Sequence, residues 1–119
     1  MNNKQTGDLG EKIAQDYLKK IGFDIIETNY RYSKFAEIDI IALKDGSLHF
    51  IEVKTRSSDK FGIPFEAITK SKLNSIKTCA NYYLSSTKVR YKNMQIDGIG
   101  IILNKNGNPE INFLENIGL

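Results

Sequence analysis

The chain of 119 residues contains a single cysteine, Cys79, and a single histidine, His49. One cysteine excludes an internal disulfide framework and fits a reducing compartment, so a cytoplasmic location is expected. One histidine and one cysteine together exclude a zinc site built mainly from those ligands. No apolar run is long enough to span a bilayer, and Met1-Asn2-Asn3-Lys4 leads into polar residues, not into the apolar stretch of a signal peptide. Internal repeats, low-complexity stretches and Pro/Gly/Ser-rich linkers are all missing. Residues 1–119 therefore read as one domain, long enough for a real core and too short for two. An apolar fraction of 40% and a charged fraction of 26% belong to a globular chain, not to a disordered tail.

Charge of one sign is not in large excess: 17 Lys and Arg stand against 14 Asp and Glu, a net +3. Its distribution is uneven. Residues 54–92 hold nine basic side chains against Asp59 and Glu66 only, whereas the rest of the chain holds eight basic and twelve acidic ones. A basic stretch beside an acidic remainder points to an anionic partner, nucleic acid first. The plainer account is that helix lysines keep a surface soluble.

Leu9, Ile13, Ala14, Tyr17, Leu18 and Ile21 recur at helical spacing, which predicts a helix over residues 8–21. Asp8 followed by Glu11 reads as a capping box at its start, and Gly22 as its stop. The texture then turns to β-branched and aromatic residues, with strands expected over 23–32, 37–43 and 48–55. Lys44-Asp45-Gly46-Ser47 supplies a hairpin turn, and the three strands are expected to form an antiparallel meander. A loop over 60–64 leads into a second helix over 65–85, with Ile68, Leu73, Ile76, Ala80, Tyr83 and Leu84 on its buried side and Cys79 as a small core residue. Strands over 94–103 and 111–117, joined by a turn, complete the order α-β-β-β-α-β-β. That order describes an α/β fold in which helices pack against a central sheet.

The informative runs are Glu37-Ile38-Asp39-Ile40-Ile41-Ala42 and Phe50-Ile51-Glu52-Val53-Lys54-Thr55-Arg56. Both are apolar enough for central strands, yet both carry charges in the middle, and a buried ion needs a partner, a metal or an opening to water. By strand alternation Glu52 and Lys54 share a face, as do Glu37 and Asp39. A hairpin turning at Asp45-Gly46 brings Asp39, Glu52 and Lys54 together at one end of the sheet. Two carboxylates there supply hard oxygen ligands suited to Mg²⁺ or Mn²⁺, and Lys54 would orient a metal-bound water or neutralise developing charge. The same residues also suit a metal-free cross-strand ion-pair network.

An acidic residue on one strand followed by Glu-x-Lys on the next resembles the PD-(D/E)xK nuclease superfamily, which has the restriction-endonuclease-like fold with a mixed central sheet. More closely, the chain resembles the YraN-like family of small predicted nucleases, distantly related to archaeal Holliday-junction resolvases. The carrying segments, besides the two runs above, are Gly7-Asp8-Leu9-Gly10-Glu11 with Tyr17-Leu18, then Asn29-Tyr30-Arg31, and Phe61-Gly62-Ile63-Pro64 with Ala67 and Lys72. The resemblance implies that Asp39 and Glu52 bind the metal, with the Val53 carbonyl as an extra ligand. It makes Lys54 the catalytic lysine and Glu11 the acidic residue of the first helix. Ile38 stands where the superfamily name has proline, and Ala36 replaces an expected glycine; neither departure removes a ligand.

Glu11 has two readings, the capping residue of Asp8 or a member of the metal site. Arg31, Arg56, Lys60, Lys70 and Lys72 are candidates for phosphate contacts, with Tyr30 and Phe61 packing on sugar or base. His49 points away from Glu52 by alternation and reads as structural. Gly98-Ile99-Gly100 has no helix after it and takes no cofactor role. The expected function is a Mg²⁺- or Mn²⁺-dependent endonuclease on DNA, structure-selective or unspecific, with a non-catalytic nucleic-acid-binding module as the alternative. One active site serves one strand, so cutting a duplex would require a homodimer.

Overall fold

The structure, a computed structural model, describes residues 1–57, 68–104 and 107–118. Its elements are α1 (Asn3–Lys20), β1 (Asp24–Ser33), β2 (Ala36–Lys44), β3 (Ser47–Arg56), α2 (Lys70–Ser86), β4 (Asn93–Ile102) and β5 (Glu110–Leu114). The strands form one sheet in the order β1-β2-β3-β4-β5, so the chain never leaves its neighbour. Every pair is antiparallel except β3 with β4. That parallel pair follows from α2, because a crossover helix returns the chain to the edge from which β3 began. The expected element order and the mixed sheet of a restriction-endonuclease-like α/β fold are both present.

The helices cover opposite faces. Ala14 and Leu18 of α1 pack with Phe23, Ile40, Ala42, Ile51, Ile99 and Ile101. Ile76, Cys79, Ala80 and Tyr83 of α2 pack with Ile38, Ile41, Leu48, Phe50 and Ile96. Cys79 is a fully buried core residue, as its helical position suggested. Among the described residues no helix is long and apolar enough to cross a membrane.

Two helix starts differ from expectation. α1 begins at Asn3, and its capping box is formed by Asn2 and Gln5: the Gln5 N–H donates to the Asn2 side chain at 2.8 Å, and the Asn2 N–H donates to the Gln5 side chain at 3.0 Å. Asp8 and Glu11 lie inside the helix, with Asp8 paired to Lys4 at 2.8 Å, so neither residue caps it. The first turns carry no apolar residue, and hydrophobic periodicity therefore registers only from Leu9 onward. α2 begins at Lys70, because the Thr69 hydroxyl accepts the Lys72 N–H and Ile68 lies outside the helix. The expected start at residue 65 and the 60–64 loop lie outside the described residues.

Gly22 ends α1 as expected, at φ +99°. The Gly22 N–H donates to the Lys19 carbonyl and the Phe23 N–H to the Leu18 carbonyl, the paired bonds of a Schellman stop. Asp45 and Gly46 both have positive φ (50° and 81°), as a tight two-residue hairpin requires. At the other end of α1, Gly10 lies directly on Thr55 of β3: a Cβ there would meet the Thr55 Cβ at 2.7 Å. Gly10→Ala is expected to lower stability by a net amount of about 1–3 kcal/mol, although alanine alone gains helix propensity of about 1 kcal/mol. Chemical denaturation checks this; an unchanged or raised midpoint would show that α1 can back away from the sheet.

Candidate active site at the open end of the sheet

Pairing between β2 and β3 runs from Lys44 opposite Ser47 to Ile40 opposite Ile51 and stops there. The next residues toward the open end are Asp39 and Glu52. The Val53 N–H donates instead to the Asp39 side chain, Oδ2, at 2.8 Å. On the outer flank, β1 and β2 pair at Thr28 with Ile40 and at Tyr30 with Ile38, skipping Asn29 opposite Asp39. Asn29 has φ +51°, a left-handed conformation that asparagine tolerates better than most residues.

This irregularity breaks the alternation of β2. Ala36 and Ile38 pack on the α2 side, whereas Ile40 and Ala42 pack on the α1 side. Glu37 therefore turns toward α1 while Asp39 turns in toward β3, and the two do not simply share a face. Asn29 explains where Glu37 goes: its Nδ2 donates to Glu11 Oε1 at 2.8 Å and to Glu37 Oε1 at 3.1 Å. Arg31 adds an ion pair to Glu37 Oε2 at 3.1 Å. Glu11 is thus tied to the strands through Asn29, a residue to which the sequence patterns assign no role.

Glu52 is 8% exposed. Lys72, from the first turn of α2, lies 3.4 Å from its Oε1, and its Oε2 is buried with no hydrogen-bond partner among the described residues. Burial raises the Glu52 carboxyl, and the Lys72 and Lys54 ammonium groups pull it back only in part. Burial and, next, the Glu52 charge push the Asp39 carboxyl up to about 7 against the Val53 N–H, with smaller upward contributions from Glu11 and Glu37. Two neighbouring carboxyls that both resist ionisation form a site that a cation would stabilise. The orphaned Glu52 oxygen and the all-oxygen donor set fit a hard divalent ion.

The other expected site residues are dispersed around this pair. Lys54 is half-buried two positions beyond Glu52, and Val53 has its N–H committed to Asp39. Arg56, Lys70 and Arg31 are exposed, with Arg31 engaged by Glu37. Lys72 is partnered by Glu52. Tyr30 is half-buried with its ring edge-on to Tyr83 at 5.2 Å, so it is not open to a base. Lys60 and Phe61 lie outside the described residues.

His49 belongs to the opposite end of β3. Its Nδ1 lies 2.5 Å from Asp97 Oδ2, while Asp97 Oδ1 accepts from Gln95 Nε2 at 2.8 Å and from the Asn116 N–H at 3.0 Å. Among the described residues, His49, Asp97 and Glu115 are the group of three whose ligand atoms fall within 4.8 Å of one another. Both Asp97 oxygens are already hydrogen-bonded, and the network fastens the C-terminal segment to β4. Asp97 is a structural residue that strand patterning missed: it stands in an apolar run, and its partners come from three separate segments.

A mixed sheet with one parallel crossover, and paired carboxylates beside a lysine where two central strands part, define an α/β protein of restriction-endonuclease-like architecture. The chain belongs to the family described as "Uncharacterised protein family UPF0102", which matches residues 10–101. It is 48% identical over 107 residues to a UPF0102 protein of Dictyoglomus thermophilum, covering 90% of each chain. A UPF0102 protein of Clostridium acetobutylicum is 42% identical over 115 residues, covering 96% of this chain and 93% of its own. One from Caldicellulosiruptor saccharolyticus is 39% identical over 117 residues, covering 98% of each.

The raised carboxyls make stability depend on pH. The Asp39 carboxyl titrates near 3.8 when unfolded and at about 7 when folded, so the folded state binds the extra proton between those values. Its contribution is full below the lower value and is lost as pH rises through the upper one, and Glu52 acts in the same direction. The metal-free protein is expected to melt at lower temperature at about pH 8 than at about pH 5.5, with a smaller difference in Asp39→Asn. An equal pH slope in the variant would remove Asp39 as its source.

Proposed function

We propose that the chain is a metal-dependent phosphodiesterase that hydrolyses the backbone of DNA. The observation that carries this reading is the orphaned Oε2 of Glu52, buried beside the high-pKa Asp39 carboxyl. Asp39, Glu52 and the Val53 carbonyl would hold Mg²⁺ or Mn²⁺. When bound, such an ion neutralises the carboxylates, acidifies a water and stabilises charge developing at phosphorus.

The chain's own groups then have distinct tasks. The Val53 N–H fixes the Asp39 side chain, and Lys72 fixes one oxygen of Glu52 and leaves the other available. The Lys54 ammonium, whose charge is felt by Glu52, assists the attacking water or a phosphate oxygen. Glu11, held with Glu37 by Asn29, adds negative charge on the α1 side, which disfavours ionisation of Asp39 until a cation is bound. Arg56, Lys60 and Lys70 would contact backbone phosphates, which orients a substrate without reading its bases. Cutting both strands of a duplex would take two copies of the chain.

The competing reading is a nucleic-acid-binding module without cleavage, and the Lys72–Glu52 ion pair favours it by partly compensating Glu52 without metal. Mn²⁺ titration and a cleavage assay on duplex, single-stranded, flap and four-way-junction DNA separate the two. The wild type is expected to bind Mn²⁺ and cleave; Glu52→Gln should weaken metal binding and cost at least about 100-fold in cleavage. Lys54→Ala should lose cleavage to a similar extent while keeping Mn²⁺ binding. Equal cleavage by wild type and variants would sink the assignment, and DNA binding without Mn²⁺ binding or cleavage would establish the module. The logarithm of DNA affinity should also fall linearly with the logarithm of salt concentration, and a flat response would remove the basic residues as the contact surface.

A further inference from the structure

The β1–β2 hairpin turns over residues 33–36, immediately before Glu37 and at the same end of the sheet as Asp39 and Glu52. Its tip is unusual for a surface turn. Phe35 is 80% exposed and Tyr32 51% exposed, and Tyr82 of α2, 47% exposed, stands next to them. The Tyr32 and Tyr82 rings are 4.7 Å apart and inclined at 55°. Behind them Tyr30 lies 6.2 Å from Tyr82, and Tyr83, edge-on to Tyr30, reaches Phe50 in the core at 5.9 Å. Tyr32 and Tyr82 are thus braced from the interior, which lowers the entropy lost when something stacks on them.

A groove of about 570 Å³ lies beside these rings. Tyr32, Phe35 and Ala36 form one wall, and Ser71, Asn74 and Ser75 of α2 form the other; among the described residues no acidic side chain lines it. One wall offers π-faces, and the other offers hydroxyl and amide groups that both donate and accept. Lys34, with its ammonium 5.1 Å from the Phe35 ring centre, adds positive charge at the rim. The α2 wall leads toward the candidate active site, since Ser71 precedes Lys72, whose ammonium lies 3.4 Å from Glu52.

Aromatic faces, polar edges and a cation at the rim match a nucleobase with its phosphate better than an apolar peptide or a lipid chain. A base inside a duplex hides both faces in the stack, so only an unpaired nucleotide could use the exposed rings. We infer that this groove takes an unpaired nucleotide, its base against Phe35 and Tyr32, and leads the adjoining backbone toward Asp39 and Glu52. The inference rests on the nuclease reading for its direction toward the carboxylates, and it narrows the substrate to single-stranded, frayed or branched DNA.

The chain contains no tryptophan. Phe35→Trp therefore introduces a sole indole reporter at the groove, and stacking on a base would quench it. The metal-free full-length variant is titrated with a labelled oligothymidylate and with a duplex of equal length, and anisotropy is read alongside indole emission. Quenching by the single strand and not by the duplex is expected, with single-strand affinity close to that of wild type. Phe35→Ala should lose about tenfold in single-strand affinity, the scale of one stacked base, with duplex affinity and melting temperature unchanged. Equal quenching by both DNAs, or Phe35→Ala binding the single strand as the wild type does, overturns the inference. Because binding is read without metal, its failure is separate from that of the nuclease reading, which is judged on Mn²⁺ binding and cleavage by the wild type and Glu52→Gln.

Discussion

The hydrogen bond from the Val53 N–H to the Asp39 carboxylate, 2.8 Å long, takes the place of the ladder bond that β2 would otherwise supply beyond Ile40. A backbone N–H in a half-buried strand has to be satisfied, and here a side chain does it. Two consequences follow. The strands are free to part at the open end, and the acceptor that lets them part is an acidic group held in one orientation. Glu52, the residue before Val53, is then exposed to Lys72 on one side and to Asp39 on the other. Positioning at this site is therefore a property of two central strands and not of a loop.

Desolvation separates the structural acid from the acids of the site. Asp97 is fully buried, yet each of its oxygens has a partner, and a fully satisfied polar network fastens the tail without asking for a ligand. Glu52 is almost as buried, but Lys72 meets only one of its oxygens. Leaving a buried charge half-satisfied costs free energy that the same residue would avoid on the surface. These acids stand on neighbouring strands one register step apart, so their partners and not their depth separate a structural acid from one that calls for a ligand.

Much of the fold was legible because its signals are local. The hairpin at Asp45-Gly46, the stop at Gly22 and the apolar runs of β2 and β3 each depend on a few adjacent residues, and each lies where the pattern put it. Acidic residues in the middle of apolar strands were equally visible, because burial makes a charge conspicuous. The break in alternation at Asp39 was not, since it arises from Asn29 on another strand adopting a left-handed conformation. For the same reason Glu37 was assigned the wrong neighbour. Asn2 and Gln5 have no apolar signal because capping precedes the apolar stripe, and the aromatic hairpin has none because Tyr32 closes an expected strand as an ordinary β-former while Phe35 falls in the connection after it.

The placement of the carboxylates also follows from topology. In open α/β sheets ligands gather beyond the carboxyl ends of parallel strands, where the connections diverge. β3 and β4 are the parallel pair here, and Glu52, Lys54 and Arg56 occupy the carboxyl-terminal half of β3. Both helices begin toward this end: Gly10 of α1 lies on Thr55, Lys72 of α2 meets Glu52, and Ile21 beyond the far end of α1 accepts from Lys44 near the Asp45-Gly46 turn. Of the two helix starts, that of α2 is therefore beside the carboxylates, with Lys72 of its first turn meeting Glu52. The first turn of α2 thus brings a cation to the one buried acid that lacks a full set of partners among the described residues, and that cation acts against the burial that raises Glu52.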